Sequence, residues 1–399
     1  MNERELRNLL LQHPLPDEHM AEERTWDVTR GAFAVREPVK RPRRIPWRTL
    51  LVLALAGGII AVGLSSAGST ISNWVRDNVG REKVVRVPAP SALVKLPAPG
   101  RVLVVSNNGV WVVSQDGGRR FLGRYEGATW SPRGQYVAVW DAKQIVTLDP
   151  NVTSGFHWAR PAPNILGVRW SPSGFRVAYV TGHALHVVVG NNTGDKVLAG
   201  SVALVPPAWR PGSEEVLAYA DPSGRVNVVE TDSVKTEWRT PVAPPPIALG
   251  WTDDGKQLVA LAPHSLRVFT DPGKLAAAAE IPKSQGVATS LAVRSGSHDI
   301  AYSVYSPATG RGAVMLFDGK SSRELFSGAG RFDNLAWSPD GRLLLVPWRA
   351  ADELLFVPAG RGRVVAYSSV ASQFNHGTSG GGNFPQVDGW CCSAAFSRG

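Results

Sequence analysis

One short pattern recurs along most of this chain: a Trp, a tight turn and an apolar run, as in WSPDGRLLLVP from Trp337. The Trp position occurs six times at intervals of 39 to 44 residues, with Val standing in once: Trp130, Trp170, Trp209, Trp251, Val293 and Trp337. A repeat of about 40–45 residues with a Trp signature has the length of one four-stranded propeller blade. The pattern therefore predicts a ring of similar β-sheets.

Each repeat contains the signals for four short strands. Trp ends the first strand, and the Ser-Pro-Asp-Gly sequence or a variant makes the turn, because Pro presets φ and Gly accepts the last position. Two apolar runs follow in every repeat, such as LLLVP and ELLFV in the last one. The fourth run is less regular, as expected for a strand at the exposed outer edge of a blade.

The two ends of the repeat region are incomplete. Residues 101–123 resemble a repeat without its first strand, and residues 386–396 resemble a lone first strand with Trp390 in the Trp position. Joined, they complete a seventh blade and leave no open sheet edge, which closed folds avoid. We expect an all-β, seven-bladed β-propeller over 101–399 closed by the C-terminal strand, with six and eight blades as alternatives.

These units resemble the WD-repeat-like propeller repeats of the TolB type. The resemblance covers about 101–399 and implies a β-propeller, commonly outside the cytoplasmic membrane, that binds other proteins. The chain departs from periplasmic members of that family through an expected membrane anchor and the lack of a separate N-terminal domain on the outer side. For function the resemblance is weak, because propellers host binding, signalling and catalysis.

Residues 49–75 contain no charged side chain and are long enough to cross a membrane as a helix. Clustered cations on one flank of such a span stay in the cytoplasm, and six precede it: Arg36, Lys40, Arg41, Arg43, Arg44 and Arg48. We expect a single-pass anchor with a cytoplasmic N-terminus and an extracytoplasmic propeller. A cleaved signal peptide is disfavoured by the long leader, and a buried helix by the cation cluster.

The segments on either side of the span have their own patterns. Residues 1–48 form a tail with the spacing of short amphipathic helices, either a docking segment or a poorly ordered carrier of the topology signal. Residues 76–100 are rich in Pro and Ala, as in a semi-rigid extended linker. Frequent Arg and Ala favour a GC-rich bacterial genome.

The only two cysteines, Cys391 and Cys392, are adjacent. Neighbouring side chains on a strand point to opposite faces, so two small buried thiols are one interpretation. A vicinal disulfide is the other, favoured by an oxidising exterior.

No catalytic, cofactor or metal site is assembled in the sequence. Ser379 lies in a G-x-S-x-G match, but within a glycine-rich loop instead of the strand–turn–helix context that a nucleophile needs. The His residues are scattered and lack carboxylates at ligand spacing. The net charge of +10 is spread out, without a compact basic and aromatic face, so we expect no nucleic-acid partner.

We therefore expect a non-enzymatic binding scaffold of the cell envelope, with a protein, peptide or glycan partner at a propeller face or loop. Two alternatives remain open. One is a transmembrane regulator, similar in layout to anti-sigma factors, that couples the propeller to a cytoplasmic partner. The less favoured one is a propeller lyase or hydrolase.

Overall fold

The computed structural model of the protein describes residues 85–86, 95–152, 155–241, 243–375 and 384–392. These residues form seven four-stranded sheets, and one short strand is added to the edge of one sheet. Six of the sheets are built from strands consecutive in the sequence, and the seventh combines the last strand of the chain with three early ones. The predicted all-β, seven-bladed β-propeller is confirmed. The predicted membrane span, 49–75, lies outside the described residues, among which no helix is long and apolar enough to cross a bilayer.

The strands are numbered along the chain, and β1 (Val85–Arg86) comes first. Blade 1 contains β2 (Arg101–Ser106), β3 (Gly109–Val113) and β4 (Arg119–Gly123); blade 2 contains β5 (Gly127–Trp130), β6 (Val137–Trp140), β7 (Gln144–Leu148) and β8 (Phe156–Pro161). Blade 3 contains β9 (Ile165–Trp170), β10 (Arg176–Thr181), β11 (Ala184–Val189) and β12 (Lys196–Ala199); blade 4 contains β13 (Ala208–Trp209), β14 (Val216–Ala220), β15 (Val226–Glu230) and β16 (Lys235–Arg239).

The remaining blades have longer strands on average. Blade 5 contains β17 (Ala248–Trp251), β18 (Gln257–Ala262), β19 (Ser265–Thr270) and β20 (Lys274–Glu280); blade 6 contains β21 (Val287–Val293), β22 (Ile300–Ser306), β23 (Arg311–Phe317) and β24 (Ser322–Ala329). Blade 7 contains β25 (Ala336–Trp337), β26 (Leu343–Trp348), β27 (Glu353–Pro358) and β28 (Val365–Ser368). A short helix, α1 (Val370–Phe374), and β29 (Gln386–Cys391) follow.

The ring closes through β29, which is the first strand of blade 1. It pairs antiparallel with β2, and Trp390 lies opposite Val102. The seven first strands touch one another in ring order, and β29 contacts both β25 of blade 7 and β5 of blade 2. The C-terminal strand therefore joins the last blade to the first, as the two incomplete repeats predicted.

Alternating strand direction separates the connections into two faces of the ring. Turns that join first to second and third to fourth strands lie on one face, called face 1 here. Turns that join second to third strands, and the connections between blades, lie on the other, called face 2. The segment before β2 and the end of β29 both reach face 1.

Apolar side chains are buried between blades, so the molecule has several cores. One buried cluster joins Leu103 and Val112 of blade 1 to Val137 and Val146 of blade 2. Equivalent clusters join blades 2 and 3, 3 and 4, 4 and 5, 5 and 6, and 7 and 1. Each blade therefore depends on its neighbours to cover its apolar faces.

The outer strands are the exposed ones, as predicted. Residues of β26 and β27 are almost all buried, whereas β20 alternates between exposed and half-buried positions. The irregular sequences of the fourth strands follow from this exposure, because these strands lie at the outer rim, where only β28 has a further strand, β1, at its edge.

A buried hydroxyl closes four of the turns after the first strands. The side-chain oxygens of Ser131, Ser171, Thr252 and Ser338 accept the backbone N–H five residues later, at 2.9 to 3.1 Å. The Gly of each turn has a positive φ and donates its N–H to the same Ser or Thr carbonyl. The sequence pattern predicted that Gly occupies the last position of the turn. It did not predict the hydrogen bond from the backbone N–H to the hydroxyl oxygen, which is typical of Ser and Thr in turns.

One such turn yields a pH prediction. The Thr252 hydroxyl donates to Asp254 Oδ1 at 2.7 Å and is the main reason that the pKa of Asp254 is lowered to about 2. A depressed carboxyl pKa stabilises the fold above the unfolded value near 4, and this contribution disappears as the pH falls through about 2.

Replacing Thr252 with Val is expected to raise the Asp254 pKa toward its ordinary value, as followed by the carboxyl carbon chemical shift against pH. The comparison variant is His298→Ala, since His298 also hydrogen-bonds to Asp254, at 3.2 Å, and this bond lowers the Asp254 pKa less than the Thr252 bond does. An Asp254 midpoint that stays unchanged in Thr252→Val would refute this assignment.

The packed structure begins before Arg101. Leu96 and Ala98 are buried in the cluster between blades 7 and 1, and β1 pairs in parallel with β28 at the outer edge of blade 7. Part of the predicted linker, 76–100, is thus a component of the propeller.

Candidate functional site

The residues in the Trp position have a structural role, and all except the half-buried Val293 are buried. Each one lies at or near the end of a first strand and pairs with the second strand of its blade; Val293, opposite Ile300, does so in blade 6. The Trp side chains are 6–8% exposed, so none of them offers a ring to a ligand: Trp130, Trp170, Trp209, Trp251, Trp337 and Trp390. The predicted topology residues, from Arg36 to Arg48, lie outside the described part of the chain.

Indole hydrogen bonds tie neighbouring segments together. The indole N–H of Trp209 donates to the Arg169 carbonyl of the preceding blade, and Trp251 does the same to Ala208. The indole N–H of Trp337 donates to the Ala292 carbonyl, and that of Trp390 donates to the Pro99 carbonyl, in the segment just before β2. These bonds satisfy the polar end of a large buried side chain.

Three arginines strengthen the blade contacts on face 1. Arg210 and Arg294 directly follow the Trp position of their blades, stack 5.5 Å from the Trp ring of the next blade, and donate to its turn glycine. In blade 1 the equivalent position is Cys391. Arg101, paired opposite Cys391, makes the same contacts to Trp130 and Gly134 from the second strand.

Two of the first strands carry side chains of opposite charge that influence each other, Arg169 on β9 and Asp388 on β29. Both side chains keep access to solvent, although many protein atoms surround them. Burial raises the pKa of Asp388 and lowers that of Arg169, and each charge partly offsets the effect on the other. Asp388 also accepts the Ala128 N–H at 3.2 Å.

A cavity with a volume of about 950 Å³ lies on face 1 between blades 1 and 2. Its location follows from the ring closure. In the other blades a turn joins the first strand to the second, but in blade 1 these strands are different ends of the chain. The unjoined ends, Gly100, Arg101 and Cys392, form one wall of the cavity.

Three turns complete the cavity wall. They are the turn after β3 with Asp116 and Arg119, the turn after β5 with Arg133 and Tyr136, and the turn after β7 that contains Asp149. Loops held by a rigid sheet are the usual position of binding residues in propellers. The cavity is therefore the best candidate site in the described structure.

The cavity is electropositive. Its charged lining residues are four arginines and two aspartates: Arg101, Arg119, Arg120, Arg133, Asp116 and Asp149. Burial lowers the pKa of Arg101, and Asp149 opposes this shift, so the guanidinium keeps its charge. An excess of guanidinium groups suits carboxylate or phosphate ligands.

A disulfide lies beside this cavity. The structure joins Cys391 and Cys392 by a disulfide at the end of the closing strand. The sulfur of Cys391 lies 3.8 Å from the Ser131 carbonyl, and that of Cys392 lies 3.5 Å from the Pro132 carbonyl. The pair therefore contacts the blade 2 turn that forms part of the cavity.

One other cluster of polar residues in the described part of the chain is neutralised by cations. Carboxylates of Glu215, Glu230 and Asp232 converge, but Arg176 pairs with two of them and Lys196 adds a second cation. Ser379 and His376 lie outside the described residues.

The cationic cavity was not predicted. Its arginines come from separate segments, the starts of β2 and β4 and the turn after β5, and show no motif in the sequence. A signal did exist: the absent first strand before Arg101 implied that blade 1 lacks the turn that the other blades have.

No protein-family model matches the chain, and no curated protein matches it. Solved structures do. A chain of the mitotic checkpoint complex matches with a TM-score of 0.51 and 16% identity over 70% of this chain and 98% of that chain. The Cps50 (Swd1) β-propeller domain of Myceliophteria thermophila matches at 0.49, with 15% identity over 61% and 86%.

Hydrazine synthase of Kuenenia stuttgartiensis matches at a TM-score of 0.47, with 12% identity over 68% of this chain and 80% of that chain. At such identities the likeness concerns the fold. The strand topology and the likeness to the checkpoint chain agree that the protein has a seven-bladed β-propeller fold.

Proposed function

We propose that the protein is a membrane-anchored scaffold whose propeller binds a protein partner of the cell envelope by face 1. The observation that carries this proposal is the open, electropositive cavity at the ring closure, formed by loops on a closed and rigid set of blades. A propeller of this fold also occurs in the mitotic checkpoint complex, a multiprotein assembly. The resemblance to TolB-type repeats favours the same role.

The proposal assigns binding, without catalysis, to the cavity. Its titratable lining groups in the described chain are Arg, Asp and Tyr, and Cys392 is in a disulfide. The four arginines are suited to ligand charge recognition.

The anchor and the orientation rest on the uncharged span 49–75 and the preceding cation cluster. We expect the full chain in the membrane fraction, resistant to carbonate extraction, and a chain lacking residues 1–75 in the soluble fraction. Added protease should digest the propeller in right-side-out spheroplasts. Recovery of the full chain in the soluble fraction would contradict the anchor.

Site-specific photo-crosslinking in cells tests the scaffold role. A photoreactive residue at exposed Gln135, on the cavity, should give a discrete cross-linked adduct. The matched control is exposed His183, in the face 2 turn between β10 and β11. Adducts from His183 alone, or from neither position, would reject binding by face 1.

A further inference from the structure

The cavity at the ring closure has more positive charge than its own lining neutralises. Its lining contains four arginines and two aspartates. The carboxylates also have local partners: Asp116 accepts the Gly118 N–H, and Asp149 accepts the N–H of Asn151. The lining thus leaves a net excess of about two positive charges.

Two of the arginines are held in place by the fold. Arg101 stacks 4.7 Å from the Trp130 ring and donates to Asn151 Oδ1 at 2.8 Å. Arg119 lies 5.8 Å from the Phe374 ring and donates to the side chain and carbonyl of Gln373. A guanidinium that is already fixed in position before binding loses less conformational entropy when it binds an anion.

Arg133 is different. It is exposed at the tip of the blade 2 turn, and it has no hydrogen-bond or ion-pair partner in the described part of the chain. Its five N–H donors are therefore available to a ligand. Removing this side chain breaks no hydrogen bond or ion pair among the described residues.

The rest of the lining favours a peptide over a nucleotide. The lining offers one aromatic side chain, Tyr136, and one face of its ring already stacks on His157 with centroids 4.7 Å apart. Nucleobase binding usually needs an open aromatic face. Amide side chains, Gln115 and Gln135, line the cavity instead and can pair with a peptide backbone.

We propose that this cavity binds a short acidic segment of a partner protein, with two or more carboxylates paired to Arg101, Arg119 and Arg133. The volume, about 950 Å³, is at the upper end of ordinary ligand pockets and accommodates several residues. This inference rests on the proposed scaffold function and names the chemistry that the partner presents.

The test is a fluorescence polarisation titration of the purified full-length chain. The probe is a labelled hexapeptide of alternating Asp and Glu, and the matched probe has Asn and Gln at the same positions. The acidic probe should bind, and the affinity should fall as salt is added because exposed charges are screened. The uncharged probe should not bind.

Arg133→Ala and Arg119→Ala should each weaken binding about tenfold, since a hydrogen bond to a charged group is lost. Arg133→Glu should weaken it further. The control is Arg361→Ala, an exposed arginine in the corresponding third-to-fourth-strand turn of blade 7, outside the cavity; its effect should stay below about twofold.

Several outcomes would overturn the inference. One is equal weakening by Arg361→Ala, and another is no weakening by any cavity variant. A third is displacement of the peptide by millimolar inorganic phosphate, which would assign the cavity to a phosphate ligand. A fourth is binding only after deletion of 393–399, which would make the chain's own C-terminus the occupant. Crosslinking at Gln135 without peptide binding would leave the scaffold role standing and reject the acidic segment alone.

Discussion

Deletion of residues 384–399 is expected to abolish folding of the propeller. The deletion removes β29, which is the first strand of blade 1, and with it Val387 and Trp390 from the cluster shared by blades 7 and 1. The inner edge of β2 then lacks its partner strand, and unpaired strand edges promote aggregation. We expect aggregated chain in size-exclusion chromatography and loss of a cooperative thermal transition in circular dichroism.

The control for this experiment is deletion of 393–399 alone. It keeps β29 and both cysteines, so the melting temperature should stay close to that of the full chain. A soluble protein with an unchanged transition after the longer deletion would show that blade 1 does not need the C-terminal strand.

Trp337→Ala is expected to lower the free energy of unfolding by about 3–5 kcal/mol. The ring is 6% exposed, its N–H donates to the Ala292 carbonyl at 3.1 Å, and Arg294 stacks on it. Truncation leaves a cavity between blades 6 and 7 and removes these two contacts together. Urea unfolding followed by tryptophan fluorescence measures the change.

Two further variants serve as comparisons for Trp337→Ala. Trp337→Phe keeps most of the buried ring and loses the hydrogen bond, so it should cost about 1–2 kcal/mol. Phe175→Ala removes a side chain that is 63% exposed and should change stability by no more than about 0.5 kcal/mol. Equal losses in Trp337→Ala and Phe175→Ala would contradict the structural role assigned to the Trp position.

The repeat pattern predicted the fold because each repeat contains its own strand and turn signals. Val293 shows how far the pattern extends: it pairs with Ile300 in the same register as Trp337 with Leu344, although it is not a Trp. The spacing therefore identified the blade where the residue type did not. The pairing of the two incomplete ends was also predicted, and Trp390 opposite Val102 is its direct counterpart.

Other features depended on contacts between distant residues. The hydroxyl of Ser338 bonds to Leu343 within one turn, so a local signal for that contact was present in the sequence. Arg294 bonding to Gly341 and stacking on Trp337 had no local signal, since the partners belong to different blades. For Cys391 and Cys392 the sequence left two interpretations open, and the structure contains the disulfide.

The amino-acid sequence alone predicted four-stranded blades and the closure of the ring by the C-terminal strand, and it favoured seven blades over six or eight. An apolar sheet that recurs at a near-constant interval can cover its faces only against equivalent sheets on either side. The tertiary structure alone decided the candidate site. Arg101 begins β2, Arg119 begins β4 and Arg133 lies in the turn after β5. They share one cavity because radial packing places these segments side by side where the chain ends leave blade 1 without a joining turn.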